Sequence, residues 1–172
     1  MLKLVKPSIE LEEEYMAFYQ DWMISGEKIV PWIIGRDPSS FQDQVAYCRD
    51  QEREENVQET FVPNSTYLLK NEQSEIVAAV NIRHRLNDYL LQRGGHIGYG
   101  VAPSKRQRGY ATATLSLALE KTREMGIQDA LVTCDGDNTA SEKTILKNGG
   151  VFESDFIEEN GNIVKRYWIR TN

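Results

Sequence analysis

The sequence predicts an α/β protein, a mixed sheet of the α+β kind, with elements in the order βααβββαβαββ. Three observations carry this. Segments with apolar residues at every second position alternate along the chain with segments whose apolar residues recur every three to four. Gly94 to Gly126 reads as strand, basic loop and helix in immediate succession. Near the end, Asn160-Gly161 separates two apolar runs, and Asn-Gly is the strongest short hairpin signal. At 172 residues the chain is long enough to bury a sizeable core and is read as a single domain over 1–172.

Leu2 and Leu4 alternate with Lys3 and Lys6, a first strand closed by Pro7. Ser8, followed by Glu10 and Glu12, reads as an N-cap. Leu11, Tyr15, Phe18 and Trp22 then line one face of a helix that runs to about Ser25 and ends at Gly26. Residues 26–38 are apolar but broken by Pro31, Gly35 and Pro38, so a loop capping the core is expected. Ser40 and Asp43 resemble a capping box opening a second helix with Phe41, Val45 and Cys48 inward. Its end, Arg49 to Glu55, is almost wholly charged and reads as solvated.

Thr60–Lys70 is expected as a strand interrupted by Pro63-Asn64, Asn71–Ser74 as a turn and Glu75–His84 as a strand. A helical turn at Leu86–Gln92 precedes strand His96–Val101. From Tyr110, Ala111, Leu115, Ala118, Leu119, Thr122 and Met125 share one helical face, and Gly126 suits the residue after the helix. Ala130–Cys134 reads as a buried strand, Asn138 as the cap of helix Thr139–Asn148, and Val151–Glu158 with Ile163–Ile169 as the hairpin.

Composition excludes several classes. A formal net charge of −6 argues against bulk nucleic-acid binding and against an anionic membrane surface. No apolar run approaches the ~20 residues a membrane span requires, and the N-terminus lacks a signal peptide's apolar core. Cys48 and Cys134 read as reduced core cysteines, which fits a cytoplasmic protein. Neither they nor His84 and His96 have metal-ligand spacing, so no metal is expected.

Ala102–Gly109 carries Lys105, Arg106 and Arg108 between a strand and a helix N-terminus. The first turn of a helix has amide N–H groups without intrahelical partners, and its dipole adds positive charge there. Glycine at 109 lets a phosphate approach the main chain. A solvated basic turn before an ordinary amphipathic helix is the alternative. The phosphate-loop pattern G-x-x-x-x-G-K-[ST] is absent, and Gly94, Gly95, Gly98 and Gly100 do not form G-x-G-x-x-G.

Arg106-Gln107-Arg108-Gly109-Tyr110-Ala111 resembles the Arg/Gln-x-x-Gly-x-Gly/Ala signature of the GCN5-related N-acetyltransferase (GNAT) superfamily. Val101-Ala102-Pro103 before the loop and Asn138 opening the later helix stand in the same order as in that superfamily. The resemblance covers residues 76–152 well and the N-terminal third loosely. It implies the GNAT-like acyl-CoA N-acyltransferase fold, with acetyl-CoA as co-substrate and an amine as acceptor. Cofactor contacts are implied at Val101, Arg106, Gln107, Arg108, Gly109, Tyr110, Ala111, Thr112, Asn138 and Ser141, the last as a small residue against the cofactor. The backbone N–H of Val101 would face the thioester. Dimerisation, common in the superfamily, is compatible with the sequence.

Acetyl transfer requires a deprotonated amine, a polarised thioester and a stabilised leaving thiolate. His96 is the first candidate base and His84 the second; a strand histidine satisfied by a neighbour is the alternative for His96. Members of the superfamily often carry a tyrosine acid seven residues beyond the asparagine, where this chain has Ile145. Tyr99 and Tyr167 are substitutes by residue type alone. Trp32 is a candidate acceptor wall, with core packing as its other role. Arg83, His84, Arg85, Asp88 and Tyr89 lie on a segment that either shapes acceptor choice or is a structural insertion. Three readings follow: an N-acetyltransferase of small amines, one acting on protein N-termini or lysines, and a non-catalytic acyl-CoA sensor.

Overall fold

The structure, a computed structural model, describes residues 1–36 and 40–172; Pro38 of the expected loop lies outside the described residues. In chain order the elements are β1 (Lys3–Val5), α1 (Glu12–Ser25), α2 (Phe41–Asp50), β2 (Asn64–Lys70), β3 (Ile76–Arg83), α3 (Asp88–Gln92), β4 (Ile97–Val101), α4 (Tyr110–Glu124), β5 (Asp129–Asp135), α5 (Thr139–Lys147), β6 (Val151–Ile157) and β7 (Ile163–Arg170). This is the expected order, with the helical turn between the third and fourth strands formed as α3.

Local chemistry explains most boundaries. Gly26, Gly126 and Gly161 take the left-handed conformation at the ends of α1 and α4 and in the terminal hairpin. Asn138 Oδ1 accepts the N–H of Ser141 at 3.1 Å and so caps α5. Two expected caps differ. Ser8 and Ser40 stand before helices, yet neither side chain makes a capping hydrogen bond. At Ser8 a 3₁₀ turn, Ile9–Leu11, intervenes, and α1 opens instead on Glu12, Glu13 and Glu14, whose charges complement the helix dipole. Thr60–Pro63 is not strand: pairing begins at Asn64, whose N–H donates to Gln51 at the end of α2. Trp32–Gly35 forms a 3₁₀ turn within the loop after α1.

The strands form two sheets, ordered β1-β2-β3-β4 and β5-β7-β6, every pairing antiparallel. The α/β architecture is the expected one, its strands divided between these two sheets and its buried side chains among three clusters. Strand β3 is buried along nearly its whole length because both faces are covered. Val80 and Ile82 pack with Leu115 and Leu119 of α4, while Ala79 packs with Tyr15, Phe18 and Phe41 from α1 and α2. Burying side chains of this size stabilises by roughly 1.5–3 kcal/mol each. Cys48 and Cys134 are both buried free thiols. No helix among the described residues is long and apolar enough to cross a membrane.

The sheets meet where β4 begins. His96 N–H donates to Leu131 O at 2.7 Å, and Leu131 N–H donates to His96 Nδ1 at 2.9 Å. Gly95 is required beside this joint: a Cβ there would sit 2.3 Å from Leu131 O. From that point β4 runs on without a hydrogen-bonded partner on its outer side.

Candidate active site

The free edge of β4 follows from its register. Arg83 N–H donates to His96 O and Ala102 N–H donates to Val77 O. Antiparallel alternation then turns the backbone groups of Gly98 and Gly100 toward β3 and the N–H groups of Tyr99 and Val101 away from it. Val101 is itself buried, and its carbonyl accepts from Arg106 Nε at 3.4 Å.

The basic loop continues from this edge. Ser104 is held to α1 by N–H and hydroxyl bonds to Asp21, and the chain then takes the left-handed conformation at Gln107 and Gly109. A Cβ on Gly109 would meet nothing within 4 Å, so the glycine serves its φ of +81° and leaves the surface open. The N–H groups of Gln107, Arg108, Gly109, Tyr110, Ala111 and Thr112 have no acceptor among the described residues. Alternating left-handed backbone at a helix N-terminus makes a concavity of convergent N–H groups, an anion nest.

The side-chain charges of the loop are partly spoken for. Lys105 pairs with Glu75 at 2.8 Å, and Arg106 pairs with Glu27 at 2.8 Å while lying over the Trp22 ring. Arg108 alone of the three has no ion pair among the described residues. The attraction for an anion therefore comes from backbone N–H groups and Arg108 more than from three equal cations.

Tyr99, Asn138 and Ser141 are brought together. The Tyr99 side chain crosses to the first turn of α5, where its hydroxyl lies 3.1 Å from Ser141 Oγ. Burial raises the Tyr99 pKa, so the phenol is protonated at neutral pH. Ile145 is wholly buried and supplies no acid. Tyr167 is also excluded, because its hydroxyl donates to Glu142, which Lys165 holds in turn.

The expectation of a near-neutral base at His96 is corrected. Burial first, and the Arg83 charge second, push its pKa down to about 4. Its Nδ1 lone pair is occupied by Leu131 N–H, which fixes the proton on Nε2. His84 is displaced as well: Nε2 hydrogen-bonds Ser65 Oγ at 2.8 Å, and desolvation lowers its pKa.

On the opposite face of β4 lies a cavity of about 720 Å³, bounded by the loop after α1, the end of α2, β2, β3 and α3. Of the candidate acceptor residues, Trp32, Arg83 and Tyr89 line it and His84 does not. Trp32 is 57% exposed and meets Phe61 edge-on at 5.7 Å; Tyr89 is 58% exposed. Asn64 and Asn81, missed by the sequence reading, join Arg83 on the floor, linked by a 2.7 Å bond between their amides. Their signal was polar residues in otherwise apolar strands, Asn64 opening the run Asn64-Ser65-Thr66 and Asn81 standing alone between Val80 and Ile82. Gly98 and Gly100 let neighbouring groups pack closely on this face of β4: a Cβ on Gly98 would lie 3.1 Å from the Arg83 guanidinium, and one on Gly100 would lie 2.2 Å from Val30 O.

Comparison with known proteins gives the class to which this fold belongs. The family model described as an acetyltransferase (GNAT) domain matches residues 2–151. The chain belongs to the GNAT acetyltransferase family. No curated protein matches the sequence. Among solved structures, Mycobacterium smegmatis RimJ in complex with CoA-disulfide is 18% identical with a TM-score of 0.68, covering 98% of this chain and 80% of that one. The microcin C7 self-immunity acetyltransferase MccE, in complex with acetyl-CoA and AMP, is 18% identical with a TM-score of 0.64, covering 98% and 92%. A variant of the spermidine N-acetyltransferase SpeG from Vibrio cholerae is 13% identical with a TM-score of 0.63, covering 99% and 95%. At these identities the likeness is one of fold.

Proposed function

We propose that this protein transfers the acetyl group of acetyl-CoA to an amine by direct attack on the thioester. The observation that carries the reading is the pair of outward N–H groups on β4, at Tyr99 and Val101, followed beyond the hydrogen-bonded turn at 102–106 by the free N–H groups of the nest at 107–112. The pyrophosphate fits the nest, with Gly109 giving access and Arg108 adding charge. Arg106, Gln107, Tyr110, Ala111 and Thr112 complete that cradle, and Asn138 and Ser141 bound the far side of the cleft beside β4.

In this arrangement Val101 N–H donates to the thioester oxygen, where negative charge develops as the amine nitrogen attacks. A carbon–nitrogen bond forms, the carbon–sulfur bond breaks, and the amine loses one proton as sulfur gains one. Tyr99 is the protonated group nearest the α5 end of the cleft and supplies the sulfur's proton, with Ser141 orienting its hydroxyl. A histidine with a pKa of about 4 and an occupied Nδ1 is a poor base, so His96 positions β4 against β5 and the amine's proton passes to water.

The acceptor approaches through the cavity on the glycine face of β4, where Trp32, Arg83 and Tyr89 stand. Thermal unfolding with acetyl-CoA, with ATP and NAD as controls, tests the cofactor. A ligand at one hundred times its Kd stabilises by about 2.7 kcal/mol. Thiol release with an amine panel then separates an enzyme from an acyl-CoA sensor. Binding without release above background would sink the enzymatic reading.

A further inference from the structure

The cavity has an electrostatic character that the fold does not dictate. Its lining includes Lys28 and Arg83 but, among the described residues, no aspartate or glutamate. Arg83 makes no ion pair among the described residues. Its Nη1 donates to the carbonyls of Gly94 and Gly95 at 3.1 and 3.5 Å, and no acceptor is found for Nε or Nη2. Burial lowers its pKa only to about 10, so it remains charged at neutral pH. A partly buried guanidinium without a counter-charge is costly to keep, and a ligand oxyanion would remove that cost by a charge-assisted, two-point contact.

The setting differs from the other arginines of this region. Arg85 is paired with Glu54 at 2.6 Å, and Arg93 with Glu158 at 3.0 Å. Arg83 thus stands unneutralised where its neighbours are balanced, in a chain whose net charge is −6. Its guanidinium also lies over Gly98, on the strand that carries Val101. The mouth is apolar and aromatic, with Trp32 and Phe61 edge to face and Tyr89 half-exposed. An exposed aromatic rim around a cationic floor matches an amphiphilic acid.

Resting on the acetyl-transfer reading above, we infer that the cavity takes an amine that also bears an oxyanion, with the oxyanion on Arg83 and an aromatic or bulky apolar body against Trp32, Phe61 and Tyr89. The oxyanion is a carboxylate, or a phosphonate or phosphate of the same charge sense. A polyamine is disfavoured: its ammonium groups would face Lys28 and Arg83 with no carboxylate in the lining to receive them.

The test has a binding arm and a turnover arm, both with full-length protein and saturating acetyl-CoA. Calorimetry compares 3-phenylpropionate and benzylphosphonate with neutral 3-phenylpropanamide, none of which can be acetylated. The acids are expected to bind at least tenfold more tightly than the amide. Arg83→Met should reduce that preference to less than twofold, Arg83→Lys should keep part of it, and Trp32→Ala should weaken acid and amide alike. Equal binding of acid and amide to the unmodified protein overturns the inference without reliance on any variant's folding. The turnover arm compares phenylalanine, its phosphonate analogue, phenethylamine and spermidine by thiol release. Preference for an acid-bearing amine, tenfold or more in kcat/KM, supports the inference, and the better of the two acids identifies the oxyanion. Equal or better turnover of phenethylamine or spermidine overturns it while leaving the enzyme standing. Arg83-dependent binding of acids with no amine turned over upholds the subsite and removes the acetyltransferase reading.

Discussion

His96 and Leu131 exchange two hydrogen bonds, one from each backbone N–H, and through them the first sheet is fastened to the second at the root of β4. The imidazole acts as a backbone acceptor, with Nδ1 standing where a strand carbonyl would otherwise stand. Beyond this joint Tyr99 and Val101 offer N–H groups to the open side of the strand, so the joint determines where the unpaired edge begins.

That role makes the protein acid-sensitive in a defined window. His96 has its pKa lowered from 6.5 to about 4, so between those values the unfolded chain binds a proton that the folded chain refuses. Its contribution is present above pH 6.5 and is lost as pH falls toward 4. His96→Gln, which keeps an acceptor but does not titrate, should lose less stability over that interval, by about 2 kcal/mol after allowance for solvent screening. Denaturant titrations at several pH values measure it. Parallel pH dependence in both proteins would refute the assignment.

The loop should discriminate among its cations. Arg108→Ala is expected to weaken acetyl-CoA binding roughly tenfold, in line with loss of one charge-assisted contact. Lys105→Ala, whose charge is already held by Glu75, should change it by no more than about twofold. Gly109→Glu should abolish binding by placing bulk and negative charge in the nest. Calorimetry with acetyl-CoA decides, and equal losses for Arg108 and Lys105 would mean that both side chains reorient onto the cofactor.

Tyr99→Phe keeps the ring and removes the hydroxyl that meets Ser141. It should lower kcat by about one to two orders of magnitude with little change in KM for acetyl-CoA, as expected for loss of a proton donor. Stability should fall by about 1 kcal/mol, one hydrogen bond's worth. A fall in stability with kcat intact would leave Tyr99 a packing residue.

Two glycine substitutions should separate crowding from backbone strain. Gly100→Ala places a Cβ 2.2 Å from Val30 O, so the loop beside the 720 Å³ cavity must shift. A cost of about 1–3 kcal/mol and a raised KM for the acceptor are expected. Gly109→Ala meets no atom within 4 Å and carries only its left-handed strain, about 1 kcal/mol. Thermal unfolding of the two variants gives the comparison.

What the sequence determined by itself is local. The strand and helix order, the hairpin at Asn160-Gly161, the Asn138 cap and the basic turn closed by a left-handed Gly109 all depend on residues a few positions apart, whose periodicity and backbone preferences are written in the chain. Only the tertiary structure decided the charges and the roles. Arg106 meets Glu27 across 79 residues and Lys105 meets Glu75 across 30, so the loop's three cations could not be known to reduce to one. His96 read as a base because its residue type allows it, and it became a strap because folding buried it against Leu131. The bare guanidinium of Arg83 likewise emerges only when β3 closes on the Gly94–Gly95 turn with no carboxylate from the described neighbours to meet it. Desolvation and long-range pairing depend on which distant segments arrive at a point in space, and no local pattern encodes that.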